Sequence, residues 1–228
     1  MIKKKTNYKK QDYFISKISL PFLMQYFRGK KSLYRYYQNI FIELHGKNII
    51  GKIIEIGAEV DYHYDNYFPN SAEYHSTNIL INSKSYLDVR NMDSIDDNSI
   101  DAVVCISVLN HIDLNDIKSC FNEIFRVLKP NGKLIMTLPF GFPICYDIDY
   151  WRFGRDSYSK LLSDFSDISL TDLGGTLSTI TNTLQRPCGK ITPRYFIYKC
   201  LGLLFALLTI KFDTPDNFPI GFGIIAKK

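Results

Sequence analysis

The sequence predicts an α/β domain built on a doubly wound, mostly parallel sheet, and three observations carry that expectation. Apolar runs of strand length alternate along the chain with stripes at helical spacing. The run Ile100–Val108 is apolar on both faces apart from Asp101, as a central parallel strand covered by helices on each side should be. The turn signal Lys129-Pro130-Asn131-Gly132 separates a helical stripe from the next apolar run. With 228 residues, 46% of them hydrophobic and 22% charged, the chain suits one domain with embellishments.

In chain order, Leu33, Tyr36, Tyr37, Ile40, Phe41 and Leu44 form the stripe of an amphipathic helix ending near Gly46. The β-branched run from Ile49 closes at Gly57 and reads as a buried first strand; Tyr74–Ile81 and Ser85–Val89 read as the second and third. After the central strand, Asp113 can cap a helix whose Ile117, Phe121, Ile124, Phe125 and Leu128 make a buried stripe. Lys133–Leu138 is the next strand, stopped by Pro139. A helix over Asp156–Phe165, a strand over Ile168–Leu173 and a final strand over Ile220–Ala226 complete the alternation, with right-handed crossovers. Residues 1–48 then form a basic helical extension packed on the core, residues 49–228 the main domain, and residues 176–219 a helical insertion before the last strand.

Charge is unevenly divided. Residues 1–52 hold 12 Lys and Arg against only Asp12 and Glu43, a net of +10, which leaves −5 for the remainder. A basic segment interleaved with Tyr and Phe suits anionic lipid or an acidic partner, or is simply a solvated helix surface; with no nucleic-acid motif beside it, no nucleic-acid partner is expected. Lys3–Lys5 run into Thr6, Asn7 and Tyr8 rather than an apolar stretch, so no secretory signal is expected and the protein is placed in the cytoplasm. The apolar run Tyr195–Ile210, broken by Lys199, falls short of the ~18–20 residues that span a bilayer. Lys190, Arg194, Lys199 and Lys211 around it suit an interfacial helix; a helix covering the sheet or a dimer interface reads equally well. Peripheral contact through 195–211 and the basic front end would put the protein at the inner face of the membrane.

Five cysteines, Cys105, Cys120, Cys145, Cys188 and Cys200, include no CxxC pair, and the four histidines show no ligand spacing. Reduced thiols and no metal are therefore expected. In a doubly wound sheet, ligands bind beyond the carboxyl ends of the strands, so the residues just after each strand are the candidates.

The string from Asn98 to Pro139, with NSID, VLNH and RVLKPNGKL at their intervals, resembles the second half of a class I, type 11-like S-adenosylmethionine-dependent methyltransferase. That resemblance implies a seven-stranded sheet with its last strand antiparallel, and S-adenosylmethionine as cofactor. It places Glu55, Gly57, Ala58 and Glu59 at the first-strand loop, where Glu59 would pair with the cofactor's ammonium or be a plain loop residue. Glu59 and Asp61 replace later glycines of the family's GxGxG, which argues against a pyrophosphate-bearing dinucleotide and less against a methyl donor. Asn78 stands where an acid commonly holds the ribose, Asp88 where one reads the adenine amino group with Val89 flanking the ring, and Ser107 and Val108 would wall the cleft. CISVLNHID resembles the family's VLEH signature, with Asn110 in place of Glu and His111 either structural or facing the acceptor.

The loop PFGFPICYDIDYWRF resembles a subgroup associated with bacterial surface-polysaccharide biosynthesis. Together these imply O-methylation of a sugar or other small-molecule or glycan acceptor, with Asp147, Asp149 or His111 as candidate base. A methyltransferase-like scaffold without catalysis, and a C- or N-methyltransferase acting on a lipid quinone or small amine, are the alternatives.

Overall fold

The computed structural model describes residues 14–15, 19, 22, 32–59, 62–79, 85–145, 147–185, 195–214 and 218–228. Seven strands, β1 (Phe14–Ile15), β2 (Gly51–Ile56), β3 (Ser71–Thr77), β4 (Ile100–Ile106), β5 (Leu128–Pro139), β6 (Ser166–Leu173) and β7 (Gly221–Lys227), form one sheet in the order β1-β6-β7-β5-β4-β2-β3. All neighbours run parallel except β7, which is antiparallel to both β5 and β6. The α-helices whose bounds lie among the described residues are α1 (Leu33–Gly46), α2 (Leu114–Val127), α3 (Arg155–Leu161), α4 (Thr176–Gln185) and α5 (Tyr195–Phe212).

The doubly wound sheet is as expected, but one of its strands is not. Ser85–Val89 pairs with the sheet only through an isolated bridge between Asn78 and Tyr86, so no third strand forms there. Leu87 and Val89 are nonetheless buried beneath α2, which explains their strand-like pattern. The seventh strand comes instead from Phe14 and Ile15, which pair with Asp172 and Leu173 at the opposite edge. The turn at Lys129–Gly132 lies inside β5 as a bulge: the register jumps between Ile100 and Ala102, and Asn131 takes a left-handed φ of 69°. Residues 80 and 81 of the expected second strand, Asp61, most of the basic front end and residues 186–194 of the insertion fall outside the described residues.

Each face of the sheet buries its own cluster. One holds α2 and α3 with Val103, Cys105, Leu134 and Met136; the other holds α1 with Ile53, Val104, Ile106 and Ile135. The helix α2 buries Ile117, Phe121 and Ile124 as its stripe predicts, and Asp113 caps it by accepting from Asn115 N at 2.9 Å.

The stripe of α1 is rotated from the expected one. Leu33, Tyr34, Tyr37, Gln38, Phe41 and Ile42 are buried, while Leu44 is exposed. The cause lies in β7, where Gly221 and Gly223 leave room for rings: a Cβ on Gly221 would sit 2.6 Å from the Tyr34 ring, and one on Gly223 2.6 Å from the Phe41 ring. Aromatic rings seated on bare backbone bring the helix closer to the sheet than side chain on side chain would allow.

The height and rotation of α1 are set by hydrogen bonds from other helices. Its first four N–H groups, which have no partner within the helix, all find one. Leu33 N donates to Gln185 Oε1 (3.0 Å), Tyr34 N to Asn182 Oδ1 (3.1 Å), and Arg35 N and Tyr36 N to the hydroxyl and carbonyl of Ser32 (both 3.1 Å). The N-terminus of α4 is closed in the same manner by Asp213, just past α5: its carboxylate accepts from Gly175 N, Leu177 N, Ser178 N and the Ser178 hydroxyl.

Cys105, Cys120 and Cys200 are free, whereas Cys145 is disulfide-bonded, so the expectation of reduced thiols does not hold for Cys145.

Asp213→Ala removes a charged acceptor from four donors at once and should lower stability by about 2–3 kcal/mol in urea denaturation. Asp213→Asn, which keeps an acceptor oxygen, should recover part of that loss.

Candidate active site

The candidate cleft lies beyond the carboxyl ends of β2, β3 and β4. Glu55, near the end of β2, is buried and accepts from the hydroxyls of Tyr74 (2.9 Å) and Ser76 (3.1 Å). Burial raises its carboxyl pKa, and the two hydroxyls oppose that rise. Gly57 follows with φ of 73°, and a Cβ there would meet Val108 Cγ2 at 2.5 Å, so this turn accepts only glycine. Ala58 is buried, and its N–H donates to Thr77 O at 2.9 Å.

Glu59 sits at the rim with half its side chain exposed and forms an ion pair with Arg35 of α1. Arg35 also donates to the Tyr64 hydroxyl and lies 5.1 Å from the centre of the Tyr62 ring. Burial opposes the guanidinium charge, but Tyr64 and Glu59 together raise its pKa.

Asn78, just past β3, donates from Nδ2 to Ala58 O at 2.6 Å, tying the β3 end to the β2 loop. Asp88 is gripped by Arg90: both carboxylate oxygens accept from the guanidinium, at 2.6–3.0 Å, and Oδ1 also accepts from Arg90 N. Hydrogen bonding to Arg90 holds the Asp88 carboxyl below the usual range. Val89 beside it is buried.

Ser107 follows β4 in a left-handed conformation with φ of 56°, and Val108 packs on the core below it. The Ser107 hydroxyl accepts from Gln38 Nε2 (2.8 Å) and lies 3.2 Å from the Tyr34 hydroxyl; Gln38 Nε2 also donates to Thr137 Oγ1 (2.7 Å) at the end of β5. Burial pushes the Tyr34 phenol up to about 12, so it is protonated at neutral pH.

The loop after β5 is strapped to the turn after β4. Tyr150 N donates to Asn110 O (2.8 Å), and Trp151 Nε1 donates to Ile112 O (2.6 Å). Asn110 Nδ2 donates to Asp149 Oδ1 (3.1 Å), and Arg152 grips Asp149 through two bonds of 2.5 and 2.7 Å. His111 Nδ1 meets the Ile148 carbonyl, which assigns its proton to Nδ1 and leaves Nε2 to accept from Asn110 Nδ2 at 3.0 Å. The Asn110 Oδ1 atom is buried and accepts nothing among the described residues. Asp147 is exposed on this loop.

Of the candidates read from sequence, Asp149 and His111 thus meet through Asn110, and Glu55, Gly57, Ala58, Asn78 and Val108 share one continuous wall. Asp88 stands beside that wall in its own pairing with Arg90. The sequence reading missed Tyr34, Arg35 and Gln38, which α1 brings to the same edge. Gln38 is the polar side chain on the buried face of α1, among Leu33, Tyr34, Tyr37, Phe41 and Ile42.

Residues 71–136 match the family model described as a methyltransferase domain, a span that runs from the start of β3 through most of β5. Among solved structures, the chain is similar to a SAM-dependent methyltransferase of Archaeoglobus fulgidus (TM-score 0.59, 13% identity, covering 92% of this chain and 100% of that one). The fold is that of the S-adenosylmethionine-dependent methyltransferases. It is also similar to phosphoethanolamine N-methyltransferase 2 of Haemonchus contortus, solved with phosphomonomethylethanolamine and S-adenosylhomocysteine (TM-score 0.56, 15% identity, 91% of this chain and 56% of that one). A third likeness is to geranyl diphosphate C-methyltransferase of Streptomyces coelicolor (TM-score 0.56, 11% identity, 85% and 76%). No curated protein sequence matches the chain.

A methyl donor bearing an ammonium and a sulfonium calls for anions, and Glu59 at the rim and Asp88 beside the wall carry carboxylates. A ligand must compete with Arg35 at Glu59 and with Arg90 at Asp88.

Burial opposes ionisation of Asp149, but Arg152 and Asn110 hold its carboxyl below the usual carboxylate range. A depressed folded-state pKa contributes stability that is present above the unfolded value of about 3.9 and is lost as the pH falls through the folded one. Asp149→Asn should therefore destabilise by about 2–3 kcal/mol at pH 7 and by progressively less as the pH falls below the unfolded value, checked by urea denaturation across that range.

Proposed function

We propose that the protein is an S-adenosylmethionine-dependent methyltransferase that methylates a hydroxyl oxygen of a small-molecule or glycan acceptor in the cytoplasm. The observation that carries the reading is a coincidence of place: the methyltransferase-domain match contains β3 and β4, whose carboxyl ends supply Asn78 and Val108 to the wall just described, opposite the β2 loop. The acceptor loop, which resembles that of a surface-polysaccharide subgroup, supports a glycan.

Gly57 would hold the cofactor's amino-acid portion by main chain beside Ala58, whose own N–H is bonded to Thr77 O, Glu59 would receive its ammonium on leaving Arg35, and Asp88 with Val89 would hold the adenine. When bound, S-adenosylmethionine supplies an activated methyl group, so placing the acceptor oxygen in line is the protein's main task. A hydroxyl acceptor also needs its proton removed. Asp149 is committed to Arg152 and Asn110, and His111 to Ile148 and Asn110, which leaves Asp147 as the carboxylate best placed to accept a proton. Trp151 and Phe153, stacked with ring centres 5.7 Å apart, would bound the acceptor pocket.

A specific observation favours a second reading, a scaffold without catalysis. Glu59, Asn78 and Asp88 are each engaged by the protein's own Arg35, Ala58 and Arg90. Calorimetric titration with S-adenosylmethionine and S-adenosylhomocysteine separates the two. The enzyme reading expects saturable binding of both, tightened several-fold by Arg35→Ala as Glu59 is released; no binding at millimolar concentration sinks it. With an acceptor in hand, Asp147→Ala should lower kcat by about 10²-fold or more with cofactor affinity unchanged. A methylated nitrogen or carbon in the product would transfer the reading to an amine or quinone acceptor.

A further inference from the structure

The helix α5 is built inside out. A helix on a globular protein normally turns its large apolar side chains inward. Here the buried positions are Gly202, Ala206 and Thr209, small residues at successive turns that press against α4, with the Thr209 and Thr181 hydroxyls 2.9 Å apart. Leu203, Phe205 and Leu208 are half-buried, and the other large aliphatic and phenyl side chains face outward: Phe196 is 71% exposed, Ile197 62% and Leu204 54%, with Leu201, Leu207 and Ile210 completing the ridge. A contiguous apolar face of this kind marks a surface that something covers.

Charge identifies what covers it. Between Asp172 and Asp213 the sequence contains no carboxylate, but it contains Arg186, Lys190, Arg194, Lys199 and Lys211. A second copy laid antiparallel across this ridge would bring Lys199 of one helix toward Lys211 of the other, a repulsion between like charges that grows once water is expelled. A layer of anionic headgroups over acyl chains satisfies both features at once, since cations meet phosphates and the Leu and Phe ridge enters the acyl boundary. Among the described residues no helix is long and apolar enough to cross a membrane, so such a helix lies in the plane of the interface.

We infer that the outward face of α5 docks the protein on an anionic lipid surface. The docking helix is also coupled to the acceptor loop: Thr179 of α4 donates to Phe218 O (2.9 Å), and Gly141 N, at the start of that loop, donates to Pro219 O (3.1 Å). The inference goes beyond methyl transfer and does not rest on it.

Flotation of the full chain with vesicles of phosphatidylglycerol and phosphatidylcholine tests it, with pure phosphatidylcholine vesicles alongside. The chain should float with the mixed vesicles and bind the pure ones at least about tenfold more weakly. The double variant Leu204→Glu, Leu207→Glu should lose at least about tenfold in binding, and Lys211→Glu several-fold. All three positions are exposed, so thermal melting and S-adenosylmethionine titration should match those of the parent. Failure to float with the anionic vesicles, or equal flotation of the double variant, overturns the inference. So does a dimer in sedimentation velocity that the double variant abolishes while vesicle binding is absent, which would assign the ridge to contact between copies.

Discussion

The architecture depends on helix ends that are closed by side chains from other helices. Backbone N–H groups at a helix start cannot be left buried without a partner, because each would forfeit its bond to water. In most helices a local Ser, Thr, Asp or Asn answers that demand. In this protein α1 borrows Asn182 and Gln185 from α4, while α4 borrows Asp213 from the end of α5. The helix α4 is correspondingly polar within: Ser178, Thr179, Thr181, Asn182 and Gln185 are all buried. Its inner face would be a liability in an ordinary core, and it becomes a set of fitted connections only because α1 and α5 meet it in one register.

Those connections fix the cleft. Apolar contacts tolerate small slides, whereas two amide oxygens aimed at consecutive N–H groups do not. With α1 held at that height, Tyr34 and Gln38 meet Ser107 and Thr137 across the ends of β4 and β5, and Arg35 reaches Glu59 across the β2 loop. A shift of one residue along α1 would move Arg35 off the rim and lift Phe41 and Tyr34 off the glycines of β7. The helix placed by α4 is thus the one that supplies the cleft with its cation and its amide donor.

The same arrangement accounts for the unusual composition of the insertion. Because α4 meets α5 through small residues, Gly202, Ala206 and Thr209, the two helices approach closely and leave no room on that side for the large side chains of α5. Leu203, Phe205 and Leu208 lie half-buried on its flanks, and the rest have only the outside to occupy. A polar inner helix and an apolar outer ridge are therefore two sides of one packing solution.

By itself the sequence determined the doubly wound class, the central strand, expected over Ile100–Val108 and found over Ile100–Ile106, the capped helix after it and the Gly57 turn, because each follows from periodicity or a local backbone requirement that neighbours along the chain impose. The candidate wall was legible for the same reason, since residues just past a strand must lie at the edge of the sheet. Ser85–Val89 misled because burial under α2 writes the same apolar pattern as a strand, and the stripe of α1 misled because the room offered by Gly221 and Gly223 lies far away in the chain. Tertiary structure alone decided which charges pair and which face of a helix turns inward. Arg35 with Glu59, Asn182 with Tyr34 N and the outward ridge of α5 join or orient groups far apart in sequence, and their energies arise only once the chain is folded and water is excluded.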